Sequence, residues 1–474
     1  MKLPYTRVHC IGIGGIHVGA VAKLLAANGA ILSGSDAVNH ELVRELRDRG
    51  FSITVGHRAE NVPEDTEVVV YTHAVPEDNP EFVEAKRRGI LCIDTHAFLA
   101  KLFEGKDQVV VTGTHGKSTT STMVGMALMA AGVNPTVVVG TKSSVFPDGN
   151  FHLGSDDLLV VEGDEYRRHV LSYQPTILVL NNIEFDHPDA FKDVDDYHTM
   201  FEEAFHQIRD KGLLIVNADD ETCMALVKRH EGEMHERGIH IVRVGKNIGD
   251  IQFGEVEVEH DGQVANVTAS KSEPAQLRIQ LPGEMNMRNA VMALTATIAR
   301  VEDDGAEEKV LRAFAEFPGC WRRFERVGLL EGAPVISDYG HHPTEISETL
   351  KAAKVTFPDR RIVLCYQPHH RNRTRGLFQE FIPAFDLADV LILSEIYDVP
   401  GREAAEDADV SSSQLADAVR ERDAQAGRSR TIVFAEDLPK TESAIRSIVG
   451  PQDLLLMMGA GTIDGLARKI AEKK

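Results

Sequence analysis

A chain of 474 residues is longer than one core usually spans and suggests roughly three domains at about 100 to 200 residues each. Its 43% hydrophobic and 26% charged content excludes wholesale disorder, and a net charge of −22 opposes a nucleic-acid partner. Cys10, Cys92, Cys223, Cys320 and Cys365 are odd in number and form no C-x-x-C pair, which argues against a disulfide framework or a cysteine zinc site and fits a reducing cytoplasm.

Residues 1–105 alternate apolar and amphipathic runs: RVHCIGI, IHVGAVAKLLAANG, AILSGSD, ELVRELRDRG, EVVVYTHA, EFVEAKRRG and ILCID. This alternation predicts a Rossmann-like α/β domain with a parallel sheet, its helices ending at Gly29, Gly50 and Gly89. The charged and glycine-rich start is expected to be a strand, turn and helix, not a signal peptide. No uncharged apolar run approaches the roughly 18 residues of a membrane span, so no membrane partner is expected. Gly12, Gly14 and Gly15 fall between strand and helix, with Asp36 ending the next strand. Backbone N–H groups there suit a pyrophosphate and the acid suits a ribose or base, as NAD or another nucleotide would require. Position 17 is His, so the strict G-x-G-x-x-G is not met.

Residues 106–319 give a second α/β series, with QVVVTGT, PTVVVG, DLLVVEGDE, TILVLNN and GLLIVNADD as strands. From about 250 to 281 the period changes to two, which predicts a small antiparallel addition with a hairpin turn at Asp261-Gly262. The segment around Pro318-Gly319 is the expected hinge or linker before the third series. Residues 320–474 form a third, Rossmann-like series with VISDYG, RIVLCYQP, DVLILSEIY, TIVFA and DLLLMMGAG as strands.

VVVTGTHGKSTTSTM, residues 109–123, carries the strongest chemical signal. It has the shape of a phosphate loop, G-x-x-x-x-G-K-[ST], except that position 111 is valine. Lys117 would reach the β- and γ-phosphates, and the Ser118 hydroxyl would ligate Mg2+. Two further strands end in acids, Glu162-Gly163-Asp164-Glu165 and Asn181-Asn182-Ile183-Glu184-Phe185-Asp186-His187, at the sheet edge where a ligand sits. Asn286 and Asn289 share a helix face at i, i+3, where helix capping is the simpler expectation and an adenine edge the functional one. Arg322-Arg323, Asp338, His341-His342 and His369-His370 follow, and their spacing offers no zinc-ligand pattern. By itself the loop is also compatible with a nucleotide-driven switch or binding module.

Together GIGG, SGSD, DNPE, TGTHGKSTT, EGDE, NNIEFDH, the Asn286/Asn289 pair, RRFE, DYGHHPTEI, QPHHRNRTR and GAG resemble, in order over essentially the whole chain, the Mur ligase family of ATP-dependent amide-forming enzymes of peptidoglycan synthesis. In that family T-G-T-x-G-K-[ST] is the ordinary nucleotide loop, so Val111 is no objection. The resemblance implies ATP and Mg2+ as cofactors, with ATP held by Gly113, Thr114, His115, Gly116, Lys117, Ser118 and Thr119. Ser118 and Glu162 would hold one metal and His187 a second. Asn286 and Asn289 would bind adenosine, with Arg323 and Asp338 reaching the nucleotide from across the cleft. Gly12, Gly14, Gly15, Asp36 and His73 become contacts to the UDP of the substrate, which displaces NAD. The implied partners are UDP-N-acetylmuramate and a small amine. EGDEY and the LNN before I-E-x-D-H stand closer to members that attach a ready-made tripeptide, whereas QPHHRNRTR stands closer to those that add L-alanine, and alanine is favoured. His341 or His342 would position or deprotonate that amine. The role of His115 stays open, and a monomer or homodimer is expected.

Overall fold

The computed structural model describes residues 3–269, 273–301, 304–398 and 409–471. Among them, three sheets form, each from one of the strand–helix series. The first has five parallel strands in the order Ser52–Val55, Ile31–Asp36, Arg7–Ile11, Val68–Tyr71, Leu91–Asp94. The strand order reverses beside Arg7–Ile11, so the turn Gly12–Gly15 opens at a topological switch point, the place where such sheets bind ligands. Gly29, Gly50 and Gly89 end their helices at φ +87°, +90° and +69°, the left-handed conformation expected of a glycine cap.

The central sheet has eleven strands. Its middle is parallel, running His240–Lys246, Leu213–Asn217, Ile177–Leu180, Asp107–Thr112, Leu158–Glu162, Thr136–Val138. Burial on both faces explains the nearly continuous valine and leucine in these strands. The antiparallel addition is the sheet's own edge, where Glu257–Glu259 and Ala275–Ile279 both pair with Gly262–Ala269. Its hairpin turn is His260-Asp261, one residue earlier than expected, because Gly262 is already paired with Glu259. That glycine is needed for close approach instead: a Cβ there would lie 2.2 Å from the carbonyl oxygen of Ile279. His240–Lys246, which lies between the parallel middle and this antiparallel edge, was not anticipated.

The third sheet runs Glu325–Leu330, Ala333–Asp338, Asp453–Met458, Arg361–Tyr366, Val390–Ser394, Thr431–Ala435. The first of these is an antiparallel edge strand that sequence reasoning did not anticipate. Core residues run without a break from the first layer (Val18, Leu25, Phe98, Phe103) into the central one (Val161, Tyr173, Leu180). The third layer keeps separate clusters around Leu364 and Leu455. No helix among the described residues is long and apolar enough to cross a membrane.

Candidate active site

The phosphate-loop sequence becomes intelligible once its ends are placed. Val111 is a fully buried strand residue in register with Val179 and Glu162, and the helix Lys117–Ala130 begins at Lys117. Only Gly113–Gly116 remains as loop, so a glycine at 111 would have no turn to serve. Gly113 (φ +125°) and Gly116 (φ +80°) take conformations that favour glycine. A Cβ at Gly113 would lie 2.8 Å from the Asn182 carbonyl oxygen, and one at Gly116 2.6 Å from Asn289 Oδ1. The neighbouring strand end braces the loop: the His115 amide donates to Asn182 Oδ1 (2.7 Å), the Thr114 amide to the Asn182 carbonyl (3.1 Å), and Asn181 Nδ2 to the His115 carbonyl (3.2 Å).

Beside the loop sit buried acids. The Ser118 hydroxyl lies 2.9 and 3.1 Å from the two Glu162 oxygens, and Glu162 also accepts from the Gly140 amide (2.9 Å). The Lys117 ammonium meets Glu165 at 2.7 Å and donates to the carbonyls of Gly113 and Thr114 (2.8 and 3.0 Å). Burial would lower its pKa, but Glu165, Asp164 and Glu162 outweigh that and hold it above the ordinary lysine value. His187, at φ +57°, places Nε2 3.3 Å from Glu165. Burial opposes its protonation too, yet Asp186 and Glu165 raise its pKa. Asp186 is in turn held by Arg373 (Nε–Oδ1 2.8 Å), across to the third layer. Glu165, Asp186, Glu345 and Arg373 are site residues that sequence reasoning left without roles. Glu345 is fixed at the helix start, where Oε2 accepts the amides of His341 (2.8 Å) and His342 (3.1 Å), a capping box that a histidine N-cap hides from the sequence.

Two cavities meet at this loop. One, of about 510 Å3, is lined by Asn286, Asn289, Thr119, Asn181 and Asp338, and the other, of about 1040 Å3, by Lys117, Ser118, Glu162, His187 and His341 together with Gly14 and Gly15. His115, Gly116, Arg323 and Glu345 line both. The helix Glu284–Ile298 is capped by Gly283, so the capping reading of its asparagines is replaced by a pair that is buried in the wall of the smaller cavity. Asp338 accepts the amides of Phe324 (2.8 Å) and Gly340 (2.7 Å), and Arg323 lies 3.9 Å from Glu345.

The structure separates the two adjacent histidines. His342 caps the helix Pro343–Thr356, with Nδ1 3.3 Å from the Thr344 amide, and lines neither cavity. His341 faces the larger cavity with Nδ1 on the Tyr339 carbonyl (3.1 Å). Burial and the Arg373 cation push its pKa down to about 3, so it stays neutral. His115 bridges two layers, Nε2 to Glu184 at 2.9 Å and Nδ1 to Glu345 at 3.3 Å. Burial lowers its pKa, but those two hydrogen bonds raise it to about 9. Gly12, Gly14, Gly15 and Asp36 come together, the Gly14 amide donating to Asp36 Oδ2 (2.9 Å). Of the five expected uridine-diphosphate contacts only Gly14 and Gly15 line a cavity, the larger one; Gly12, Asp36 and His73 line neither, and the His73 ring packs on those of Tyr71 and His169.

The donor set fits Mg2+, which prefers hard oxygen ligands: a serine hydroxyl and a buried carboxylate are already in contact at the helix start beside a lysine.

A glycine loop on a parallel sheet, opening at once onto an asparagine-lined pocket and a large cleft lined by both carboxylates and cations under a third α/β layer, defines a nucleotide-using α/β enzyme. Residues 7–107 match the catalytic domain of the Mur ligase family, 111–297 the Mur ligase middle domain and 322–461 the Mur ligase glutamate ligase domain. The chain is 33% identical to a UDP-N-acetylmuramate--L-alanine ligase of Clostridium novyi, over 99% of this chain and 98% of that one. A UDP-N-acetylmuramate-alanine ligase from Thermotoga maritima superposes with TM-score 0.81 at 28% identity, covering 98% of each chain. A murein peptide ligase of Psychrobacter arcticus shares the fold at TM-score 0.71 and 22% identity, again over 98% of each. The chain belongs to the Mur ligase family, and it is an ATP-dependent ligase.

Proposed function

We propose that the chain joins L-alanine to the lactyl carboxylate of UDP-N-acetylmuramate through an acyl phosphate, releasing ADP and phosphate. The meeting of the two cavities at Gly116, Arg323 and Glu345 carries this reading. Adenosine in the smaller cavity, on Asn286, Asn289 and Asp338, would lead its phosphates over the loop of Gly113, Thr114, Gly116, Ser118 and Thr119 into the larger one. There the carboxylate waits, its UDP end on Gly12, Gly14, Gly15 and Asp36. Lys117 would exchange Glu165 for the phosphates, and Arg323 would approach them from the third layer, so that two cations offset the meeting of carboxylate and γ-phosphate. Mg2+ on Ser118 and Glu162, with a second ion near His187, would supply further charge neutralisation. Neutral His341 would accept an N–H of the incoming amine and orient it toward the acyl carbonyl. The third layer, with its own core, is suited to close over the cleft and exclude water from the acyl phosphate. The unpaired cysteines suit work in the cytoplasm.

Phosphate release with ATP, Mg2+ and UDP-N-acetylmuramate tests the assignment across L-alanine, glycine, L-serine and the tripeptide. L-alanine is expected to stimulate most, about tenfold over glycine, the discrimination one methyl group provides. Stimulation by the tripeptide alone would move the chain to the tripeptide-attaching members. Full turnover without UDP-N-acetylmuramate would indicate a nucleotide-driven switch.

A further inference from the structure

Four imidazoles lie in a row between the first and central layers, and of them only His73 was given a role above. His17, which lines the large cavity, packs at a tilt against His96 (ring centroids 4.5 Å, planes 36° apart), while His96 stacks on His169 (4.3 Å) and His169 on His73 (5.0 Å, planes 18° apart). At the far end His73, His169 and Asp94 each offer a ligand atom, all within 4.8 Å of one another. Asp94 ends the strand Leu91–Asp94, and His73 lies two residues beyond the neighbouring strand Val68–Tyr71, in which Tyr71 is in register with Asp94. His169 comes from the central layer, in the segment Tyr166–Ser172.

We propose that His73, Asp94 and His169 bind one divalent transition-metal ion of the zinc class, which ties the carboxyl-terminal edge of the first sheet to the central layer. Two neutral imidazoles and one carboxylate with an open position suit such an ion, whereas Mg2+ prefers oxygen ligands alone. The second observation is an unmet need: both ring nitrogens of His169 are buried without a hydrogen-bond partner among the described residues. An ion satisfies one of them, and burial already keeps this ring neutral, with its pKa pushed down to about 4. Asp94 has a carboxylate oxygen to spare, since only Oδ1 caps the following helix, accepting from the amides of His96 (3.0 Å) and Ala97 (3.1 Å). Arg167 is a nearby positive charge, and Asp164, 4.0 Å from His169 Nδ1, opposes it. The assignment takes His73 out of the uridine contacts. It does not depend on which amine the enzyme uses.

Cobalt(II) reports such a site through its visible ligand-field absorption. Titrating the full chain after chelator treatment, with excess Mg2+ to occupy oxygen sites, is expected to give a tetrahedral-type band that saturates at one equivalent and is displaced by zinc. His73→Ala should weaken binding roughly tenfold or more. Asp94→Asn, which keeps an oxygen for the helix cap, should do the same, while His187→Ala in the cleft should leave the band intact. Circular dichroism of each variant verifies its fold. No band in the unaltered chain, or a band that survives His73→Ala and so belongs to another cluster such as His206, His230 and Glu233, overturns the proposal.

Discussion

Glu81 in the first layer and Glu165 in the cleft are both buried carboxylates, 0% and 1% exposed at the side chain, and each is paired with histidine. Glu81 accepts from His9 (3.0 Å), Ser35 (2.5 Å) and Asn61 (2.6 Å), with His57 Nδ1 at 3.3 Å, and it lines neither cavity. Burial alone would raise its pKa, but those hydrogen bonds from fixed neighbours push it down to about 2. Glu165 is held by Lys117 and His187, two groups that themselves face the large cavity. The first acid is saturated by partners that stay in place and so serves the fold. The second is balanced by a lysine and a histidine that line the large cavity, where under the proposed function a substrate anion would compete for them. Burial and residue type are shared; whether the partners face the cavity separates the two.

Lys117→Ala breaks the cleft side of this comparison most strongly. ADP release is expected to fall about 10³-fold. Calorimetry on the folded variant should find UDP-N-acetylmuramate binding little changed, and equal loss of both would refute the division between the two cavities. Glu81→Gln probes the other side. It should lower unfolding free energy by about 2 kcal/mol near neutral pH, as expected when a buried network loses its charged acceptor, with turnover per folded molecule unchanged. Because the folded pKa of Glu81 lies below the ordinary 4.5, its contribution is present above pH 4.5 and is lost as pH falls toward 2. Urea titrations of variant and unaltered chain should therefore converge on acidification; a loss of turnover without a loss of stability would erase the contrast.

The smallest effect belongs to His115, which links the loop to the third layer. Its folded pKa of about 9 lies above the ordinary 6.5, so its contribution is complete below pH 6.5 and disappears as pH rises through 9. His115→Gln should lower the melting temperature by on the order of 2 °C at pH 6.5 and by nothing measurable above pH 9. A pH-independent shift would show that the two carboxylates do not hold an imidazolium.

Much of the site was legible because its rules are local. Gly113 and Gly116 could be recognised from the strand before them and the helix after them, and so could the acids at strand ends. The i, i+3 spacing put Asn286 and Asn289 on one face, but only the packing of their helix beside the loop decided between capping and a cavity wall. Arg373 and Asp186, 187 residues apart, leave no pattern in the chain. The same holds for His73, Asp94 and His169, whose spacing resembles no metal motif.

The sequence by itself determined the three strand–helix series, the glycine caps, the phosphate loop and the family, because backbone sterics and hydrophobic period act over a few residues. The tertiary structure alone decided that His341 faces the cleft while His342 caps a helix. It also decided which buried acid is saturated and which is held by groups that line the large cavity, and that four distant histidines form one row. Those outcomes depend on burial and on charges brought within a few ångströms, and packing the three layers together is what sets both.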